Sequence, residues 1–299
     1  LRSPFTPAFK GQLASVRPDD LAATVVSALI KQTGVHPEDI DDLLLGCAFP
    51  EGEQGFNMAR LVALHAGLPM TVAGATINRW CGSSMEAIHI AAGNIASGKG
   101  DVFIAAGVES MTRIPMGGFN PMPNPALFAK LPAAYMSMGI TAENVAKQCN
   151  VAREAQEEFA LASHRKAAAA DMSGEIVPIT TKAGVVDKDG TIRGNSTAED
   201  LAKLAPVFDA KGTVTAGTSS PLTDGASAVL VVSEEYAKKH KLPMLARIKA
   251  TAVVGLEPAV MGLGPISASE KALKRAGLTI KDMDVIELNE AFSAQALPC

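Results

Sequence analysis

ALIKQTGVHPEDIDDLLLGCAF (28–49) and ALKRAGLTIKDMDVIELNEAF (272–292) are two versions of one unit. After a single-residue gap between the lysine and the glycine, Gly34 aligns with Gly277, Asp39 with Asp282, Asp41 with Asp284 and Phe49 with Phe292, all at a separation of 243. Each copy predicts an amphipathic helix, a glycine at its C-cap, a short turn and a buried strand. Cap and turn chemistry can produce such likeness by convergence, but four matches in one frame favour a duplicated fold. Outward from the first copy, 74–78 predicts a strand, 83–97 a helix closed by Gly98, and DVFIAAG (101–107) a buried strand. That βαβ alternation implies a parallel sheet covered by helices. The regular pattern stops in RIPMGGFNPMPNPALFAKL (113–131), where proline and glycine prevent a long helix or a central strand. Helical patterns resume at 141–148 and 152–170, a polar stretch covers 180–197, and ASAVLVVS (226–233) returns to the sheet. The expected organisation is a first half made of 1–111 and 223–241, an inserted loop domain at 112–222, and a partial second half at 242–299.

With 299 residues, 47% hydrophobic and only 4% aromatic, the chain is long enough for a large core, which must be built from aliphatic side chains and methionine. Its net charge of -4 provides no basic field for nucleic acid or an anionic membrane surface. No run of 18 apolar residues suggests membrane insertion, and Asp19-Asp20 before the first apolar run marks a helix start rather than a signal peptide. The four cysteines (47, 81, 149 and 299) form no CxxC, and the histidines at 36, 65, 89, 164 and 240 show no metal-ligand spacing.

Three segments could carry chemistry. In NRWCGSS (78–84) a strand ends, Cys81 occupies the turn and a helix follows at once. Free N–H groups and the helix dipole at such a position favour thiolate, so a lowered Cys81 pKa is expected. Cys47, on an apolar strand, is expected to be core. ELNEAF (287–292) puts a polar Asn289-Glu290 pair where the first copy is apolar, and Asn289 could donate to a developing oxyanion, directly or through water. TVTAGTSSPLTDG (213–225) is a loop of small residues that lacks the order of a phosphate-binding P-loop, and taken alone it could be a plain connector. Gly262-Leu263-Gly264-Pro265 lacks the third glycine of a dinucleotide fingerprint.

Taken together and in order, NRWCGSSMEAIHIAAGNIASG (78–98), AAGVESMTRIPM (105–116), VTAGTSSPLTDGA (214–226), VVGLEPAVMGLGP (253–265) and ELNEAFSAQALPC (287–299) resemble the thiolase family. CGSSM, TAGTSS and NEAF are closer to its degradative 3-ketoacyl-CoA branch than to its biosynthetic one. The resemblance implies two duplicated βαβαβ halves with mixed five-stranded sheets, helices layered between them, and an inserted loop domain. It also implies a homodimer or homotetramer, a possible multienzyme partner in β-oxidation, and coenzyme A as co-substrate with no permanently bound cofactor. Cys81 matches the acyl-accepting nucleophile and Asn289 the asparagine that orients an oxyanion-hole water. Arg193 and Phe208 match contacts to the nucleotide end of coenzyme A, and Ala216, Gly217 and Ser220 match the loop along its pantetheine arm. Met138, Ala291 and Phe292 match the substrate pocket, with Ser137 where biosynthetic members often carry histidine. The family's later histidine and second cysteine have no match here, since the repeat would put the partner of the Cys81 helix near 324, so a catalytically incomplete chain is expected. A cytoplasmic location is the default, with mitochondrial or peroxisomal ones open. A biosynthetic thiolase, a decarboxylating condensing enzyme of the same superfamily and a non-catalytic acyl-CoA-binding subunit are the competing readings.

Overall fold

The computed structural model describes residues 1–299, which form two compact units. The first comprises Leu1–Pro121, Asp171–Thr191 and Leu222–Arg247, and the second Met122–Ala170, Ile192–Pro221 and Ile248–Cys299.

The first unit is an α/β sheet structure. Its elements are β1 (Thr6–Pro7), α1 (Pro18–Thr33), β2 (Asp42–Gly46), α2 (Met58–His65), β3 (Ala73–Ile77), α3 (Ser83–Ala96) and β4 (Val102–Ser110). The five-stranded sheet has the order β1, Thr223–Val232, β4, β2, β3. Strands β2, β3 and β4 are parallel, whereas Thr223–Val232 runs antiparallel to both of its neighbours, β4 and β1, so the sheet is mixed. Helix α1 starts with Pro18 in its first turn, followed by Asp19 and Asp20 at the positive end of its dipole, and closes at Gly34 in the left-handed region (φ 68°). Alternate side chains of the strands feed opposite cores. Leu43, Leu45, Ile104 and Ala106 pack with α1 and α2, while Leu44, Phe103 and Ala105 pack with Ala87 and Ala91 of α3. Because both faces are covered, the run Leu43-Leu44-Leu45 is apolar throughout.

The expected strands at 74–78 and 101–107 are present within one to three residues, and α3 ends just before Gly98 (φ 71°). The proline-rich excursion nevertheless contains a short helix, α4 (Pro125–Lys130), with proline in its first turn and the Asn124 side chain accepting the Leu127 N–H. In the second unit α5 (Met138–Gln148) and α6 (Arg153–Ala169) realise the two predicted helical stretches. The polar stretch after 179 holds a hairpin, β5 (Ile179–Thr181) and β6 (Gly184–Val186), which its composition did not signal. Then come α7 (Ala198–Ala202), the sheet strand β7 (Thr223–Val232), α8 (Glu234–Lys239), α9 (Gly264–Ala276) and α10 (Ser293–Ala296).

The repeat is visible in three dimensions up to its turn. Gly277 closes α9 at φ 69°, matching Gly34, and 3₁₀ turns follow at Pro37–Asp39 and Ile280–Asp282, again 243 residues apart. The strand expected next in the second copy does not form. No neighbouring strand runs beside it, so its backbone has no ladder to join, and Val285 and Ile286 are 76% and 64% exposed.

Candidate active site

Parallel strands place candidate chemistry beyond their C-terminal ends, and Cys81 lies there, between β3 and α3. Helix α3 can begin that close to the sheet because β2 and β4 carry glycine at the contact. A Cβ on Gly46 would collide with the backbone of Ser83 and Ser84, and one on Gly107 with the Ser84 side chain. The turn itself is tied by short hydrogen bonds. Arg79 N–H donates to Ser83 Oγ (2.8 Å), Ser83 Oγ donates to the Trp80 carbonyl (2.5 Å), and Trp80 N–H donates to Asn78 Oδ1 (2.9 Å). Trp80 takes a positive φ of 49°, a conformation a bulky residue holds only when its surroundings enforce it. Arg79 pairs with Glu86 of α3 at 2.9 Å.

Cys81 is exposed as a residue. The expected lowering of its pKa is not found. Burial of the sulfur pushes the thiol above its ordinary value, its own N–H pulls the other way, and the Glu109 carboxylate adds to the rise. The turn therefore presents a thiol rather than a standing thiolate, and turning it into a nucleophile requires a base. Cys47 is core, as expected, and burial followed by the Glu109 charge pushes its thiol up to about 12.

Glu109 and Gln54 are functional candidates that the sequence reading missed. At the end of β4, Glu109 accepts hydrogen bonds from Ala48 N–H (2.7 Å), Phe49 N–H (3.3 Å) and Gln54 Nε2 (2.6 Å). Fully buried Gln54 also accepts from Ser110 N–H at 2.7 Å, which leaves its amide nitrogen facing Glu109 and the Phe49 carbonyl. The available signal was a carboxylate closing the otherwise apolar run of β4.

The second unit gathers most of the remaining predicted residues. Met138 opens α5, and Gly139 beside it lies against the Phe208 ring so closely that a Cβ would clash. Phe208 meets Phe292 edge-on at 5.8 Å, Ser220 N–H donates to the Ala291 carbonyl (2.9 Å), and Ser219 pairs with Phe292 in a β-bridge. The TAGTSS loop is fixed from below. Glu143 of α5 accepts the N–H groups of Thr213 and Val214, Gln156 of α6 reaches Thr213 Oγ1 (2.9 Å), and a Thr215–Thr218 capping box holds the 3₁₀ turn Ala216–Thr218. Gly217 lies against Leu201 and Leu204 and Ala216 is exposed. Asn289 is exposed and has no hydrogen-bond partner, while the neighbouring Glu290 accepts from Ser163 Oγ (2.5 Å). The Arg193 N–H donates to His164 Nδ1 (3.2 Å), and burial, then the Arg193 charge, lower the His164 pKa.

The fold thus defines an α/β protein with a cysteine on a strand-to-helix turn and a separate small-residue loop held against an aromatic pair. Residues 1–235 match the family described as "Thiolase, N-terminal domain", and residues 242–299 match "Thiolase, C-terminal domain". The chain is 47% identical to a 3-ketoacyl-CoA thiolase of Saccharophagus degradans, over 99% of this chain and 78% of that one. It is 48% identical to one of a Marinomonas species (100% and 79%) and 46% identical to one of Bacillus subtilis (99% and 80%). The chain belongs to the thiolase family.

Proposed function

We propose that the protein is a degradative acyltransferase that cleaves 3-ketoacyl-CoA thiolytically, with Cys81 as its nucleophile. The observation that carries this reading is Cys81 on a rigidly tied turn beyond the ends of three parallel strands, in a chain whose relatives are named 3-ketoacyl-CoA thiolases. In the first step the deprotonated sulfur attacks the 3-keto carbon. The bond between C2 and C3 breaks, its electron pair stays on C2 of the departing acetyl-CoA, and a proton returns there. The shortened acyl group is left as a Cys81 thioester, and the thiol of free coenzyme A takes it over and releases Cys81 as a thiol. Asn289, exposed and unpartnered, keeps its amide free to orient a water toward the oxyanion.

Coenzyme A acts as co-substrate. We assign its nucleotide end to Arg193 and Phe208 and its pantetheine arm to Ala216, Gly217 and Ser220, a loop whose own hydrogen bonds keep it rigid before ligand arrives. Met138, Ala291 and Phe292 form the acyl pocket, and the contacts Phe208–Phe292 and Ser220–Ala291 support grouping them with the coenzyme A loop. No helix is long and apolar enough to cross a membrane. We take the protein to act as a homodimer or homotetramer in a bacterial cytoplasm, and the exposed Trp80 and Met85 beside the open edge of β3 support self-association.

The decisive experiment incubates the protein with acetoacetyl-CoA and maps any acetyl adduct by peptide mass. An adduct on Cys81 that is absent in Cys81→Ala is the expected result. An acetyl group on another residue, with Cys81 unmodified, would sink the assignment.

A further inference from the structure

Glu109 is half-buried and Gln54 fully buried; a carboxylate drawn partly out of water is costly unless it is well hydrogen-bonded, and an apolar pair of similar size would fill the same space more cheaply. Glu109 and Gln54 therefore call for an explanation beyond packing, and their partners supply one. All the groups they hold at close range belong to residues 47–49, the segment leaving β2, and to Ser110. From that segment two contacts reach the nucleophile turn. The Ala48 carbonyl accepts from Asn78 Nδ2 (3.0 Å), and the Phe49 ring meets Trp80 edge-on at 5.4 Å. Asn78 Oδ1 in turn holds the Trp80 N–H, one residue before Cys81. The chain Glu109, Ala48, Asn78, Trp80, Cys81 is thus continuous, each link a hydrogen bond or a covalent bond.

We propose that Glu109 and Gln54 are a positioning pair that sets where the Cys81 thiol sits, through the 47–49 segment and Asn78. Trp80 at positive φ is the joint this pair enforces, since a tryptophan relaxes out of that region when nothing holds it. Glu109 also faces Cys81 electrostatically and raises its pKa, so removing the charge and loosening the turn have separate signatures. The proposal rests on Cys81 being the nucleophile, and the variants below test the two ideas apart.

Three variants, Cys81→Ala, Glu109→Gln and Asn78→Ala, are assayed for thiolysis of acetoacetyl-CoA and for iodoacetamide labelling of each cysteine against pH, with exposed Cys299 as internal reference. Asn78 is exposed, so N78A leaves the core intact while cutting the link. We expect N78A to lose about tenfold or more in kcat with KM within about twofold, as a misplaced reacting group does. E109Q should move the labelling midpoint of Cys81 to lower pH and leave that of Cys299 in place, a shift that a merely structural role would not produce. If E109Q does not fold, N78A alone decides. Unchanged kcat in N78A beside an inactive C81A overturns the positioning pair and leaves the nucleophile standing. Activity retained in C81A overturns the nucleophile itself.

Discussion

Cys47 and Cys81 are 34 residues apart in sequence and belong to adjacent strand ends, yet their surroundings give them opposite uses. Cys47 is 1% exposed and lies between Gln54 and Glu109, so its thiol stays protonated and shielded. Cys81 stands on an exposed turn. Iodoacetamide at pH 8 should label Cys81 while leaving Cys47 unmodified until the protein unfolds, and equal labelling of both by peptide mass would contradict the burial assigned here. The turn depends on two missing side chains. Gly46→Ala drives a methyl group into the backbone of Ser83 and Ser84, which must shift, and we expect a loss of about 1–3 kcal/mol in urea unfolding together with slower Cys81 labelling. The position of Cys81 was legible because strand, cysteine and helix start are contiguous in NRWCGSS. Its raised pKa was not, because Glu109 and the atoms burying the sulfur come from chain segments distant in sequence. Glu109 itself was passed over for the same reason, its partners Ala48 and Gln54 lying some 55 to 61 residues upstream.

At the scale of elements, local pattern located α1, α3, α5, α6 and α9 and the strands β2, β3, β4 and β7, since helix periodicity, caps and continuous apolar runs are properties of neighbouring residues, but it did not mark β1 or the helices α2, α7 and α8. The hairpin Ile179–Val186 escaped because three-residue strands bounded by polar turns carry almost no periodic signal. The second-copy strand failed for a different reason, as pairing is a property of two segments and its own apolar residues cannot provide the other. The two αL caps offer a controlled comparison of the repeat. Gly34 and Gly277 share φ within one degree, and neither has an atom near its missing Cβ, so alanine at either site is opposed by backbone conformation alone. Gly34→Ala should cost about 1 kcal/mol of global stability, because α1 is packed on the sheet core. Gly277→Ala should hardly change it, because no residue of α9 is buried and that helix frays locally. Equal losses in chemical denaturation would show that α9 is held as firmly as α1.

At the scale of the molecule, the first unit is assembled from three separated stretches of chain, so something must fasten the first residues to the later ones. Arg2 does this. Its guanidinium grips Asp189 through two bonds of 2.8 Å and Glu175 through a third of 2.6 Å, while Asp189 also accepts the Phe5 N–H and the Leu1 backbone nitrogen donates to the Ala228 carbonyl. The Arg2 and Asp189 side chains are 14% and 11% exposed, which makes the pair expensive to break from one side. Burial alone would raise the Asp189 pKa, but the hydrogen bonds from Arg2 and Phe5 hold it below the usual carboxylate range. A carboxylate depressed on folding contributes stability that is present above its unfolded pKa, near 4, and is lost as pH falls through the lower folded value. Asp189→Asn should therefore destabilise the protein by about 2–3 kcal/mol at pH 7, where Glu175 still partners Arg2. The gap between wild type and variant should begin to narrow in urea titrations as pH falls through the unfolded value near 4, where the unfolded wild type takes up a proton that the ion-paired native state refuses, and should close only below the lower folded value. A gap of the same size at pH 3 as at pH 7 would mean that Asp189 acts through shape and hydrogen bonding, and that its charge does not fasten the N-terminus to the unit.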